Sequence, residues 1–321
     1  MSAHPARCFL CAARMLAPTT RALRWPGGFR RRFALACGSC GVLTDGAEGP
    51  AALAHLGEAL SGEVFALGRD APYGLDPYTL RTAATRWRRA ASPVGEAQRR
   101  ALGRPHSDLA AEGQLSDMVP GEGPEVAIGV MCRSGEWEGA LGHLRAHLRW
   151  ASGIVILADG AGPDLQPEDR VLVSRRDMDG DFAAQRNALQ DLSPSPWMLQ
   201  LDTDETLDPD AAALLPALAG LADAGDAVSV GLPRRNLVDG VAADLYPDTQ
   251  YRLNRRETRF TGRVHERPER PWQRSVLSLH GTIDHHLERA RVETRSQAYE
   301  AMVPGGGRLG EAQALLQPFR D

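Results

Sequence analysis

Between residues 125 and 224, four short apolar runs alternate with segments of helical periodicity, and few folds accommodate that order. The runs are "EVAIGVMC", "GIVILAD", "RVLVS" and "PWMLQLD", each of a length and composition suited to a buried strand. "EWEGALGHLRAHLRWA" and "DFAAQRNALQDL" space their apolar residues for one helical face, and "DPDAAALLPALAGLA" starts a further helix. Asp181 and Asp208 stand where N-caps are wanted, and Pro209 stands at a first helical position. Strands alternating with helices predict an α/β domain with a mostly parallel sheet. Ligands of such sheets bind beyond the carboxyl ends of strands. Two acids hold that position: Asp159 after "GIVILA" and Asp202 after "PWMLQL".

Asp202 opens a cluster that continues with Asp204, Glu205, Asp208 and Asp210. In extended backbone, residues two apart point to the same side. Asp202 and Asp204 can therefore bracket Mg2+ or Mn2+, which takes one or two protein carboxylates plus substrate phosphate. The same five acids could instead solvate a loop and start a helix.

The first 45 residues are of another kind. "CFLC" and "CGSC" place Cys8, Cys11, Cys37 and Cys40 in two C-x-x-C pairs, enough for one tetrahedral four-thiolate zinc site. A redox pair or two disulfides would use the same residues, but no βαβ pattern surrounds either pair. The first 44 residues hold seven arginines and no acid, as an organelle transit peptide does. The cysteine pattern favours a folded, zinc-ribbon-like module over residues 1–45. Residues 46–122 read as a variable helical region ending in a polar linker, "GRPHSDLAAEGQLSDMVPGEGPE". Residues 123–321 make up the α/β domain.

Three tracts of this domain resemble the family 2 glycosyltransferases of GT-A fold, in the branch that modifies cell-surface glycans. They are "DFAAQRNALQDLSPSPWMLQLDTDETLDPD", "YPDTQYRLNRRETRFTGRVHERPE" and "LHGTIDHHLERARVETRSQAYEAM", and the resemblance as a whole covers about residues 125–302. The resemblance implies a nucleotide-sugar-binding domain that moves a sugar, with inversion, from a nucleotide-diphosphate donor to an acceptor hydroxyl on a surface glycan or lipid-linked saccharide. It implies that Asp159 meets the nucleotide base or ribose and that Arg186 and Asn187 lie near the donor. It places Mg2+ or Mn2+ on Asp202 and Asp204, with His285 or His286 near the diphosphate or metal. Glu266, ahead of Pro268 on an expected strand-end loop, becomes the general base, and its neighbour His265 competes for that role. The chain departs from the family in two places. After the first strand, "VMCRSGEWE" lacks the usual N-E pair; after the second, "ADGAGPDLQ" keeps Asp159 and Asp164 without the usual hydroxyls.

Other features carry less. Arg255, Arg256, Arg259 and Arg263 could meet phosphate, with Arg263 nearest the base candidates; a solvated strand face would look the same. "DMDGD" lacks the glycine position and terminal Glu of an EF-hand loop and reads as a turn. His280, His285 and His286 cannot all converge, because neighbours in a strand point oppositely. Cys132 reads as a small buried residue. With 37 basic and 41 acidic residues, the net charge of −4 suggests no nucleic-acid partner. No apolar stretch approaches the ~18 residues of a membrane span, so the expected location is cytoplasmic, at most peripheral to the inner membrane. Two rivals use the same residues: a catalytically degenerate scaffold recruiting partners through the ribbon, and a nucleic-acid binder using the basic ribbon segment.

Overall fold

A computed structural model describes residues 6–46, 49–263, 265–302 and 309–320. Val264 of the "VHE" tract and the outermost residues of the expected domain ranges therefore lie outside the description. The chain forms two compact units. The first runs to Met118 and also takes in Val276–His280; the second holds Val119–Ser275 and Gly281–Arg320.

In the first unit the cysteine segment and the region after it are one body. Strands Leu16–Pro18, Leu35–Cys37, Leu43–Thr44 and Tyr73–Gly74 lie side by side in one sheet. Leu10, Leu43, Leu56, Phe65, Tyr73 and Leu277 share one core. After residue 49 come the helix Gly49–Ala59 and the short strand Val64–Ala66. "DPYTLRTAATRWRRAASPVGEAQRRAL" forms two helices, Pro77–Thr85 and Gly95–Leu102, with the strand Arg89–Pro93 between them. The expected linker is the clearest difference. Its Glu112–Asp117 portion is the middle strand of a three-stranded sheet, between Val64–Ala66 and Arg89–Pro93. Only Gly113 and Leu115 of that strand are buried, so its alternation shows one apolar side chain. Gly113 leaves no room for more: an added Cβ would stand 3.0 Å from the Ser92 carbonyl oxygen.

The second unit contains the expected α/β pattern. Strands Val126–Arg133, Gly153–Asp159, Val171–Arg175 and Trp197–Leu201 are all present, with helices Trp137–Leu144 and Phe182–Asp191 in the connections. Across the sheet the strands run Leu165–Glu168, Val171–Arg175, Gly153–Asp159, Val126–Arg133, Trp197–Leu201, Gln250–Arg255, Ser229–Leu232. The four central apolar strands pair in parallel. The flanking pairings are antiparallel, so the sheet is mixed where a mostly parallel one was expected. Its antiparallel members, such as "QYRLNR", carry too much polarity to announce themselves as strands. Helix Phe182–Asp191 lies close on the sheet because Gly129 has no side chain. A Cβ there would come within 2.6 Å of Met198 Sδ and 3.0 Å of Leu189 Cδ2. A second, four-stranded sheet orders Glu205–Leu207, Ile283–Leu287, Arg234–Val238 and Val241–Ala242.

Candidate functional site

The carboxyl ends of three neighbouring central strands open into a cavity of about 590 Å3, lined among others by Arg133, Asp159, Arg186, Asp202, Asp204 and Glu266. Asp159 ends its strand and is paired in register with Arg133. Its Oδ1 accepts a hydrogen bond from the Met178 amide at 3.0 Å. Beyond Leu201 the chain closes a turn, with the Glu205 amide donating to the Asp202 carbonyl at 3.0 Å. The Asp202 amide donates to Glu205 Oε2 at 3.1 Å. Asp208 then caps the helix that begins at Pro209, accepting from the amides of Asp210 and Ala211. The opening acids of this tract thus divide, the first two toward the cavity and Asp208 to the helix start.

Behind the cavity wall the charges alternate. Arg186, 2% exposed, donates from Nη2 to Asp202 Oδ1 at 2.7 Å, from Nε to Glu266 Oε1 at 2.6 Å and from Nη1 to Gln200 Oε1 at 3.2 Å. Arg252 pairs with Asp202 Oδ2 and reaches Glu205 Oε1 at 2.8 Å. Arg234 continues to Glu205 at 3.0 Å and to Asp248. Burial alone would raise the Asp202 carboxyl, but Arg252 and then Arg186 outweigh it and hold it well below the usual carboxylate range.

Asp202, expected as a metal ligand, accepts from a guanidinium group on each of its oxygens, so any cation there would share it with two arginines. Asp204 is the better placed carboxylate. Its Oδ2 stands 3.5 Å from His285 Nε2 and 3.9 Å from Arg291 Nη1. His285 is buried and its neighbour His286 exposed, as opposite faces of one strand require. His285 Nδ1 faces Asn236 Oδ1 at 2.8 Å. The Asn236 amide nitrogen is turned toward Leu245 O and Asp248 Oδ2, so its oxygen can only accept from the ring. The proton therefore sits on Nδ1, and in the neutral ring the Nε2 lone pair faces Asp204.

Asn187 does not line the cavity. It grips the backbone of Phe260 from both sides, donating to its carbonyl at 3.0 Å and accepting from its amide at 2.7 Å. Arg263 does not line the cavity either; its Nε donates to Gly180 O at 3.3 Å. Glu266 and His265 both line it, and both also line a neighbouring cavity of about 160 Å3. An ion-pair partner of Glu266 is Arg186. Arg252 and Arg234 were not singled out from the sequence, and Glu205 only as one of the five clustered acids. The available signal was a charged residue at an inward position of a short strand, because a buried charge must find a partner.

In the first unit the four cysteine thiols converge, all within 4.8 Å of one another. Cys8 Sγ lies 3.7 Å from Cys40 Sγ, and Cys11 Sγ 3.6 Å from Cys37 Sγ. A tetrahedron with ~2.3 Å metal–sulfur bonds has edges of about 3.8 Å, so this donor set fits zinc. Two matching knuckles build it. In each, the residue after the second cysteine has positive φ: Ala12 at 62° and Gly41 at 85°. Each returns its amide to the carbonyl of the first cysteine, at 2.8 and 3.0 Å. The glycine of "CGSCG" foretells this bend; Ala12 adopts it without that help. No further group of three or more such ligands occurs among the described residues.

No protein-family model matches the sequence, and no curated protein matches it. Similar solved structures include two of S. aureus TarS residues 1–349, one of them in complex with UDP. They superpose with TM-scores of 0.33 and 0.34 at 10% identity, covering 60% of this chain and 69% of that one. A likeness this loose carries no argument about the chemistry.

Proposed function

We propose that the second unit is a glycosyltransferase domain that takes a nucleotide-diphosphate sugar into the 590 Å3 cavity and transfers the sugar, with inversion, to an acceptor hydroxyl. The observation that carries this reading is convergence. Asp159, Asp204 and Glu266, far apart in sequence, line one cavity at the carboxyl ends of parallel strands. Of these, Asp204 and Glu266 lie in two of the three tracts that resemble family 2 glycosyltransferases, and the third tract contributes His285. In this reading Asp159 meets the base or ribose, and Arg133 and Arg291 supply positive charge toward the diphosphate. Glu266 takes the acceptor proton, held in place by Arg186, with His265 as the alternative base. Asp204 and His285 would hold a divalent cation, which when bound offsets the charge growing on the leaving diphosphate. The four-cysteine site is structural and holds zinc. A glycan or lipid-linked acceptor suits the family resemblance, and no helix among the described residues is long and apolar enough to cross a membrane.

The test is nucleotide release from UDP-, GDP- and dTDP-sugars with and without Mn2+, with CMP-sugars, which lack the second phosphate, as the contrast. One diphosphate donor should be consumed, and Glu266→Gln should keep donor affinity while losing on the order of 10²-fold in turnover. Absence of both binding and turnover across the donors would remove the reading.

A further inference from the structure

Arg252 belongs to none of the roles above, yet it occupies the centre of the site's charge pattern. It stands on the strand Gln250–Arg255, antiparallel to Trp197–Leu201, whose end carries the acidic turn. Its side chain is 9% exposed, and Glu205, beneath the turn, is fully buried. One guanidinium nitrogen, Nη2, meets both Asp202 Oδ2 and Glu205 Oε1. Those are the first and last residues of the turn, and the backbone of each is bonded to the other. Asp204 lies between them. It is held from the far side by its carbonyl, which accepts from the His286 amide at 2.8 Å.

We infer that Arg252 is a positioning residue of the candidate donor site: it withholds Asp202 from any cation and sets the turn that presents Asp204 to one. The inference rests on the transfer reading for the identity of the cavity, and on geometry for the rest. Asp202 and Glu205 turn one carboxylate oxygen each to the same guanidinium nitrogen, and a buried carboxylate needs a positive partner at hand. Arg252 is that partner, supplied by the chain. With Arg186 on the other oxygen, Asp202 presents to the cavity a carboxylate already neutralised twice over, to which a metal ion is drawn only weakly. Removing Arg252 should therefore have an effect opposite to that of removing a ligand. Asp202 and Glu205 would lose their shared counter-charge and recruit a divalent ion in its place.

The experiment is Mn2+ binding to the full chain, measured by calorimetry with and without UDP and separately from any transfer assay. Wild type should bind one Mn2+ at this unit, and Asp204→Asn should lose at least tenfold in affinity. Asp202→Asn should stay within twofold of wild type. Arg252→Met should bind Mn2+ at least tenfold more tightly, and the double variant Arg252→Met/Asp202→Asn should return toward the wild-type value. A merely structural arginine would weaken binding in Arg252→Met and show no reversal in the double variant. If Arg252→Met does not fold, Asp202→Asn decides alone. A tenfold loss of Mn2+ affinity in Asp202→Asn makes Asp202 a ligand and overturns the inference. Wild type that binds no Mn2+ with or without UDP also overturns it, while leaving the transfer reading to stand or fall on donor consumption.

Discussion

The two units each gather a knot of acidic ligands, and they balance its charge in opposite ways. In the first, four buried thiols converge, and the nearby arginines Arg7 and Arg86 donate to backbone carbonyls of the first knuckle, Ala12 O and Leu10 O. Burial, with Cys11, Cys37 and Cys8 beside it, pushes the Cys40 thiol up. The Cys8 thiol is pushed up too, by Cys11 and Cys37, whereas Cys37, with Cys11, Cys40 and Cys8 beside it, is driven down. Such a cluster can ionise fully only around a metal. In the second unit, Asp202, Glu205, Glu266 and Asp248 come with Arg186, Arg252 and Arg234 already interleaved. One cluster is a donor set that an ion could complete; the other is compensated by the chain, with Asp204 set between His285 and Arg291. The lesson is that ligand-type residues at ligand-type spacing define a metal site only after the nearby arginines have been counted.

The largest expected effect is metal loss from the first unit. Purified protein should carry about one equivalent of zinc there. Apparent binding energies for such sites reach ~10–16 kcal/mol, and that energy is folding energy. Cys37→Ser or strong chelation should therefore unfold residues through Met118, well past residue 45, because the cysteine segment and Leu56, Phe65 and Tyr73 share a core. Hydrogen exchange reads this directly; metal-free protein with protected amides across that unit would erase the contrast between the two clusters.

Next comes Arg186→Met, which leaves Asp202 and Glu266 facing each other without their shared partner. Breaking a buried pair costs about 3–5 kcal/mol. Asp202 is 30% exposed, so the lower end applies. Thermal melting with residues 197–201 followed by hydrogen exchange checks it, and a loss below about 1 kcal/mol would mean that the alternating charges add little.

Acid should act on the same set. The folded-state values of Asp202 and Asp248 are depressed; burial opposes this, and Arg252 for the first and Arg234 for the second outweigh it. A depressed carboxyl stabilises the fold above its unfolded value of ~3.9 and loses that contribution as pH falls below it. Stability of the second unit should therefore stay flat from pH 7 to about 5 and drop below about 4, less steeply in Asp202→Asn. An unchanged slope in that variant would count against the pairing.

The smallest effect is at Asp208. Its Oδ1 accepts from Ala211 N at 2.8 Å and Asp210 N at 3.1 Å, so Asp208→Ala should cost about 1 kcal/mol and leave Mn2+ binding unchanged. A loss of binding would show that the helix start and the cavity wall are not separate.

Much of the second unit was legible because its central strands are buried on both faces. Ile154, Val155, Ile156 and Leu157 are each at most 2% exposed, and such runs declare themselves without tertiary help. The caps at Asp181 and Asp208 were legible because their partners lie within three residues. The two cysteine knuckles were legible from spacing alone. Asp202 was not, because the arginines that decide its role stand 16 and 50 residues away. For the same reason Asn187 was misplaced: its partner Phe260 is 73 residues distant. The strand inside the expected linker was hidden by a glycine standing where an apolar side chain would have marked the pattern.

The short return of Val276–His280 to the first unit bears on how the protein is made. Leu277 is part of the core that Leu10, Leu43 and Leu56 build, and Leu279 packs against it. All four site cysteines are made before residue 41, yet that core lacks Leu277 and Leu279 until the chain has been made through His280. At ~5–20 residues per second, the wait from Met118 is roughly 10–30 s. The four thiols can therefore meet one another, and a metal ion, before the core they share is complete.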